Sequence, residues 1–275
     1  MTAPSIEIIC VGNELLIGKT LNTNAQWLAK RITTLGLKTQ RITIVGDNVE
    51  EISKVIQEAI QRNPCFIITT GGLGPTFDDK TLEGIAMALE RKLATNDEAL
   101  KMIEEKYRQY VEEGRMERAE LTPHRVKMAR LPEGSKPIFN PVGTAPAVII
   151  KHDDITVIAL PGVPSEMKAI FEESVVPLLK EVAGNVTFFE TSLGITGMEE
   201  PSVAPLIDRV MHDNPYVYVK SHPKGEETVS HLELHFYTTA ENTSLARKRV
   251  SKAIIQLSEL IQEKGGKVKP VKVES

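Results

Sequence analysis

Carboxylates recur in the glycine-rich segments of this 275-residue chain, and their placement is the first clue to its chemistry. Glu14 follows Gly12-Asn13, Asp47 follows Gly46, and Glu166 follows Pro161-Gly162-Val163-Pro164-Ser165. Asp78 and Asp79 close the run Gly71-Gly72-Leu73-Gly74-Pro75-Thr76-Phe77. Glycines let backbone N–H groups approach an anion, and a helix starting near Lys80 would add its positive end. Thr76 and Thr81 offer hydroxyl donors to the same anion. Carboxylates repel phosphate, and a divalent cation between them resolves that conflict. Hard oxygen ligands suit Mg²⁺, with Mn²⁺ or Co²⁺ as alternatives. A cation so placed would polarise phosphorus and orient an attacking water. The spacing matches neither a P-loop, which needs Gly-Lys-Ser/Thr, nor the dinucleotide Gly-x-Gly-x-x-Gly. Taken singly, each acid also has a structural reading: Asp47 and Asp79 as helix caps, Glu166 as the complement of a helix dipole.

The elements that must position these residues follow from hydrophobic period. Residues 5–11, 38–45 and 65–69 read as short strands, the first an apolar run. Between the first two, Leu21, Ala25, Leu28, Ala29, Ile32 and Leu35 recur at helical spacing until Gly36. Ile52, Val55, Ile56, Ala59 and Ile60 form a second helical face, with Asp47 and Glu50 as its capping box. Strands alternating with single helices imply parallel pairing through right-handed crossovers, the start of a doubly wound α/β domain. Helices are expected over residues 81–91, over 96–113 with Thr95 and Glu98 as capping box, and over 119–128. Strands return at 136–139, 147–152 and 156–160, and a helix over 165–179 is interrupted near Pro177. The acidic loops therefore fall at the carboxyl edge of a parallel sheet, where open α/β sheets bind ligands. After residue 183 the rhythm changes. Strands at 186–193, 217–222 and 228–238, a helix around 201–212 and a final helix carrying Val250, Ala253, Ile254, Leu257, Leu260 and Ile261 make a small β-α-β-β-α domain. The tail over 264–275 reads as frayed.

Composition narrows the function classes. Lys and Arg total 33 against 37 Asp and Glu, a net charge of −4 that argues against a partner held by phosphate neutralisation, so nucleic acid is not expected. Apolar residues at 41% supply a core and exclude wholesale disorder. No stretch reaches the ~20 apolar residues of a membrane span, and residues 1–12, which carry no basic side chain, do not read as a signal peptide. Cys10 and Cys65 lie in apolar runs and read as buried thiols of a cytoplasmic protein. Gly194-Ile195-Thr196-Gly197 has the spacing of an RNA-backbone clamp, yet Met198-Glu199-Glu200 follows it, so it reads as a turn and helix cap. His231, Glu233 and His235 alternate on one strand face, a conceivable metal set. The plainer reading is a half-buried strand with Leu232, Leu234 and Phe236 inward and the polar residues in water. His124 and His152 have no evident partners, and Trp27 reads as packing.

The run from Gly71 to Thr81 resembles the signature of the CinA family, whose N-terminal domain belongs to the molybdopterin-binding MoaB/Mog-type superfamily. The resemblance extends over Gly12-Asn13-Glu14-Leu15-Leu16-Ile17-Gly18, Thr23-Asn24, Val45-Gly46-Asp47, Asn140, Gly143-Thr144-Ala145-Pro146 and Pro161-Gly162-Val163-Pro164-Ser165-Glu166-Met167. It implies a three-layer α/β/α fold with a mostly parallel sheet over residues 1–183 and a small α+β, KH-like domain over 184–275. It also implies that the catalytic aspartates are Asp47 and Asp79, with Asp47, Asp78 and Asp79 around the metal. Glu14, Asn24, Gly71, Gly72, Gly74, Pro75, Thr76, Thr81, Asn140, Gly143, Thr144 and Glu166 are then the substrate-binding set. The activity associated with the family is divalent-metal-dependent hydrolysis of nucleotide pyrophosphates such as ADP-ribose or FAD. Mog-like relatives bind molybdopterin, and some adenylylate it. The alternatives are therefore a passive pterin- or nucleotide-binding module and a molybdopterin adenylyltransferase of molybdenum cofactor biosynthesis. The expected partner is a small-molecule nucleotide or pterin, and the expected assembly a homo-oligomer, dimer or trimer. Bacterial members carry a C-terminal amidase domain for which this sequence leaves no room, so that activity is not carried over. Two departures stand out: Ala147 replaces a usual glycine, and Val126-Lys127-Met128 replaces a Lys-Gln pair.

Overall fold

The computed structural model describes residues 4–224 and 231–271. The part of the expected third small-domain strand at residues 228–230 lies outside them. So do residues 272–275 of the tail. Contacts divide the chain after Ala183, with Thr34–Gly36 grouped with the second unit.

The first unit begins β1 (Ser5–Val11), α1 (Asn13–Leu16), α2 (Thr23–Thr34), β2 (Lys38–Val45), α3 (Val49–Gln61) and β3 (Phe66–Thr70). It continues with α4 (Thr81–Ala88), β4 (Leu93–Thr95), α5 (Asp97–Glu112), α6 (Pro123–Lys127), β5 (Arg130–Pro132) and β6 (Lys136–Ile138). It ends with β7 (Ala147–His152), β8 (Ile155–Leu160), α7 (Pro164–Ile170) and α8 (Val176–Ala183). Six strands form one sheet in the order β2-β1-β3-β8-β7-β6. β2, β1, β3 and β8 run parallel, whereas β7 and β6 are antiparallel. The chain goes from β1 to one side for β2, then back past β1 to β3, so the order switches at the β1–β3 pair. That switch opens a crevice outside the carboxyl ends of β1 and β3.

Alternation along the strands builds a three-layer α/β/α unit. Ile9, Val11, Ile67, Val157 and Ala159 pack with Ile52 and Ile56 of α3, Leu82 and Ile85 of α4 and Ala99 and Ile103 of α5. Ile8, Cys10, Ile68 and Ile158 take the other face and are fully buried, as are Leu28, Ile32, Ile170, Phe171 and Leu179. Half-buried Trp27 packs edge-on against Phe171, ring centroids 5.4 Å apart, the packing role expected of it.

Several local expectations shift. The break expected near Pro177 is a π-helical turn just before it, Phe171–Val175. Proline lacks the N–H that would pair with the carbonyl four residues back, and a widened turn accommodates that loss. The cap of α3 is Asn48, whose side chain accepts from the amide of Glu51, so the Asp47–Glu50 capping box is not formed. Asn96 likewise caps α5 through Ala99, in place of Thr95. The helix expected from residue 119 is only the short α6, capped by Thr122 and begun by Pro123. Cys10 is buried, but Cys65 is only half-buried.

The second unit comprises β9 (Thr187–Thr196), α9 (Glu200–Asp213), β10 (Tyr218–Lys224), β11 (His231–Ala240), α10 (Thr243–Glu263) and β12 (Lys267–Val271). All neighbours in its sheet, ordered β10-β11-β9-β12, are antiparallel. This is the split β-α-β arrangement. Two expectations are corrected. Residues 267–271 are not frayed but form β12 along β9. Gly194 to Thr196 is strand, not turn, with only Gly197 in the left-handed conformation at φ 83. Leu232, Leu234 and Phe236 are buried against α9 and α10 as expected. Glu233, however, is buried too, its carboxylate 3.3 Å from Nε2 of His235.

Candidate active site

The glycine loop after β3 is built so that only glycine fits. Gly71 has φ 105, and a Cβ there would run into the carbonyl oxygen of Val11 on the neighbouring strand. Gly72, at φ 65, lies against the Thr81 hydroxyl. Both positions combine a left-handed backbone with close approach, which no L side chain tolerates without strain. The amide of Gly71 donates to Leu160 O at 3.0 Å, and Thr81 Oγ1 donates to Gly71 O at 2.7 Å. The loop is thereby fixed to β8 and α4.

Its acidic end is a closed turn. Asp79 Oδ2 accepts from the Thr76 amide at 2.8 Å and from Thr76 Oγ1 at 2.6 Å. The same hydroxyl lies against Asp78 Oδ1. One hydroxyl carries one proton, so it donates to one of the two acids at a time. Hydrogen bonding by Thr76, then by the turn's own backbone, holds the Asp78 carboxyl below the usual range. The charges of Lys127 and Lys80 add to that effect. Asp79 does not cap α4, whose first flanking residue is Lys80 with no side-chain cap.

Across the crevice, Asp47 Oδ2 accepts from the Asn13 amide at 2.8 Å, and Asn13 Oδ1 accepts from the Asp47 amide at 3.3 Å. That reciprocal pair ties the loop after β1 to the loop after β2. Asn24 Nδ2 donates to Gly162 O at 2.8 Å and to Thr70 Oγ1 at 3.2 Å. Its buried Oδ1 has no hydrogen-bond partner among the described residues. Burial pushes the Cys10 thiol up, opposed by a hydrogen bond with Asn22.

These loops enclose a cavity of about 350 Å³. Of the expected site residues, Glu14, Asn24, Asp47, Gly71, Gly72, Thr76, Asp78 and Asp79 line it. Gly74, Pro75, Thr81, Asn140, Gly143, Thr144 and Glu166 are not in its lining. Thr81 stands behind the loop as its anchor, and Gly74 packs on the Asp79 carboxylate. Asn140 is buried, its amide donating to Ala145 O at 2.9 Å and to Glu166 Oε2 at 2.7 Å. Its oxygen accepts from the amides of Val142 and Gly143. A Cβ at Gly143 would enter the Glu166 carboxylate, which explains the glycine there.

Sequence reasoning missed Asn13, His124 and Lys127. Lys127 donates to the carbonyls of Thr76 and Asp79, the latter at 2.7 Å. His124 Nδ1 lies 3.3 Å from Pro75 O, so that histidine does have a partner. No sequence signal links either to the glycine loop, because the contacts span 48 and 49 residues.

Among the described residues no three His, Cys, Asp or Glu side chains converge closely enough to hold a metal ion by themselves. The donor chemistry still fits Mg²⁺, which takes one or two carboxylates and completes its shell with water and substrate phosphate. Asp47, Asp78 and Asp79 each keep one carboxylate oxygen outside the side-chain bonds above.

Comparison with known proteins identifies the family and the fold. Residues 7–181 match the model of a probable molybdopterin binding domain. A protein of Aeropyrum pernix is 44% identical over 266 residues, covering 96% of both chains. One of Sulfurisphaera tokodaii is 42% identical, covering 95% of this chain and 97% of its own. The crystal structure of the protein CinA, of unknown function, from Thermoplasma acidophilum is 39% identical with a TM-score of 0.58. It covers 66% of this chain and 99% of its own.

Proposed function

The chain belongs to the family of probable molybdopterin binding domains, in its CinA-like form, and from that premise we propose that it hydrolyses nucleotide pyrophosphates such as ADP-ribose or FAD with a divalent metal. One observation carries the reading: Asp47 and Asp79 line the same cavity as the Gly71–Gly72 backbone, acid and anion cradle together. The loop glycines let main-chain donors approach the diphosphate. Asn24, in the cavity lining, places the remainder of the ligand. One or two of Asp47, Asp78 and Asp79, with water and substrate phosphate, would hold Mg²⁺, Mn²⁺ or Co²⁺, which supplies charge neutralisation and a more acidic water when bound. An Asp79 or Asp47 carboxylate accepts the proton of the attacking water. Water adds to one phosphorus, the bond to the bridging oxygen breaks, and that oxygen leaves with the second phosphate. ADP-ribose thereby gives AMP and ribose 5-phosphate.

The same reading includes a homo-oligomer, dimer or trimer, in the cytoplasm. Exposed Leu16, Ile17 and Leu21 beside the crevice support association. No helix among the described residues is long and apolar enough to cross a membrane. A second reading, a pterin- or nucleotide-binding module without turnover, draws on the lack of three convergent protein ligands among the described residues. Adenylyl transfer to a pterin phosphate would use the same loop. Incubation with ADP-ribose, FAD, and molybdopterin plus ATP, each with Mg²⁺, Mn²⁺ or Co²⁺, separates them. Release of AMP from ADP-ribose or FAD supports the hydrolase, and its absence with every metal overturns it.

A further inference from the structure

The acidic turn at residues 76–79 does not stand alone. Behind it lies α6, only five residues long, whose last residue sends an ammonium into the turn's main chain. Lys127 Nζ donates to Asp79 O at 2.7 Å and to Thr76 O at a shorter distance. Those two residues are the ends of the turn closed by Thr76 and Asp79 side-chain hydrogen bonds. The side chains clamp one side of the turn, and the lysine clamps the other. Lys127 is absent from the lining of the large cavity but lines a small cleft on the far side of the loop, with Gly72, Gly74 and Asp79. It therefore reaches the site through the backbone rather than by touching the ligand. No ion pair of Lys127 occurs among the described residues. Its charge is free to act on the acids it supports.

We propose that Lys127 is the positioning residue of this site. It locks the Thr76–Asp79 turn through the two carbonyls and supplies the fixed positive charge that lets acidic residues share a cavity with a phosphate. The charge half of this inference rests on the reading that the cavity takes a phosphate-bearing ligand, and the clamp half does not. A lysine here makes a point-charge contact with carbonyl oxygens, and arginine could reach both carbonyls with its fork. The role thus requires a long cation, not packing volume.

The test compares wild type, Lys127→Met and Lys127→Arg by two measurements. The first is amide hydrogen exchange at Thr76 and Asp79 without ligand, and the second is calorimetric titration with inorganic pyrophosphate in Mg²⁺. Lys127→Met should speed exchange at both amides at least about tenfold while β1 and β3 amides stay unchanged, since local opening is separable from global unfolding. The same variant should bind pyrophosphate at least about tenfold more weakly, the scale of one lost charge-assisted contact. Lys127→Arg should remain within about threefold of wild type in both measurements, which a purely steric role would not produce. Unchanged exchange in Lys127→Met overturns the clamp, and unchanged affinity overturns the charge role. If wild type itself binds no pyrophosphate, the phosphate reading of the cavity and the charge role fall together. The exchange result then still decides whether Lys127 holds the turn.

Discussion

Replacing Asp79 by Asn separates the turn from the chemistry. Asp79 Oδ2 accepts two bonds, from the Thr76 amide and from its hydroxyl. The amide oxygen of Asn can accept the same pair, so what is lost is charge assistance. Bonds to charged groups contribute roughly 1.5–3 kcal/mol against about 0.5–1.5 for neutral ones, and screening at this half-exposed turn leaves a loss of about 1 kcal/mol. For a protein of this size that is a fall in Tm of about 2–4 °C. Turnover should fall much further, at least ~10²-fold by analogy with lost electrostatic stabilisation, because a neutral amide neither balances a cation nor takes a proton. Thr76→Val is the control: it removes the hydroxyl, keeps the Thr76 amide bond, and should lower Tm similarly while holding turnover within ~10-fold. Melting by circular dichroism and AMP release from ADP-ribose are measured on one preparation of each. Full turnover in Asp79→Asn would refute the role of this carboxylate. Equal losses in both variants would mean that it acts only by shaping the turn.

Gly71→Ala forces a methyl against the Val11 carbonyl at a left-handed φ, and should cost at least about 2 kcal/mol in urea unfolding. Arg62→Ala strips the partner from Glu7, which is 1% exposed and held at 2.6 Å. A loss of roughly 3 kcal/mol is expected, partly restored by adding Glu7→Gln, because an unpaired buried carboxylate is the main cost. Arg31 holds the Glu172 carboxyl below its usual range by hydrogen bonding. With its folded pKa depressed, Glu172 adds stability above the unfolded value that disappears as pH falls through the folded one. Glu172→Gln should therefore flatten the acid side of a Tm-against-pH curve and leave alkaline Tm dependence alone. Removing divalent metal with EDTA should weaken AMP binding at least about tenfold by calorimetry, with Mg²⁺ restoring it. Metal-independent affinity would count against a bridging cation.

The parallel strands were legible because β1, β3 and β8 are short apolar runs bounded by glycine or proline, and their loops reveal the ligand edge. Caps were less legible. Asp47-Asn48 and Thr95-Asn96 each offer two adjacent capping side chains, and in both pairs the asparagine is the cap. Asp47 is taken up by the Asn13 amide, which leaves Asn48 for the helix. Residues 267–271, Lys-Val-Lys-Pro-Val, carry too little apolar alternation to read as a strand. Their strand comes from pairing with β9, with Val268 set against the core. The site divides the same way. Residues on the loops themselves reach the cavity, whereas Asn140 and Glu166, read from the same family resemblance, satisfy each other beside Ala145.

Charge at the cavity bears on its function. Its lining includes Glu14, Asp47, Asp78 and Asp79 and, among the described residues, no Lys or Arg. Two like charges about 6 Å apart repel by about 3 kcal/mol at an effective dielectric near 20. A passive phosphate carrier gains nothing from such a lining, since each acid weakens the grip on its cargo. Acids around an anion cradle become useful when something positive sits between, or when a proton must be taken from water. Lys127, set behind the loop, offsets part of the repulsion through the turn it holds. It cannot perform either of those two tasks, because it lies outside the cavity. On the proposed reading the carboxylates do metal and proton chemistry at phosphorus, and a metal-free protein that still binds AMP tightly would count against it.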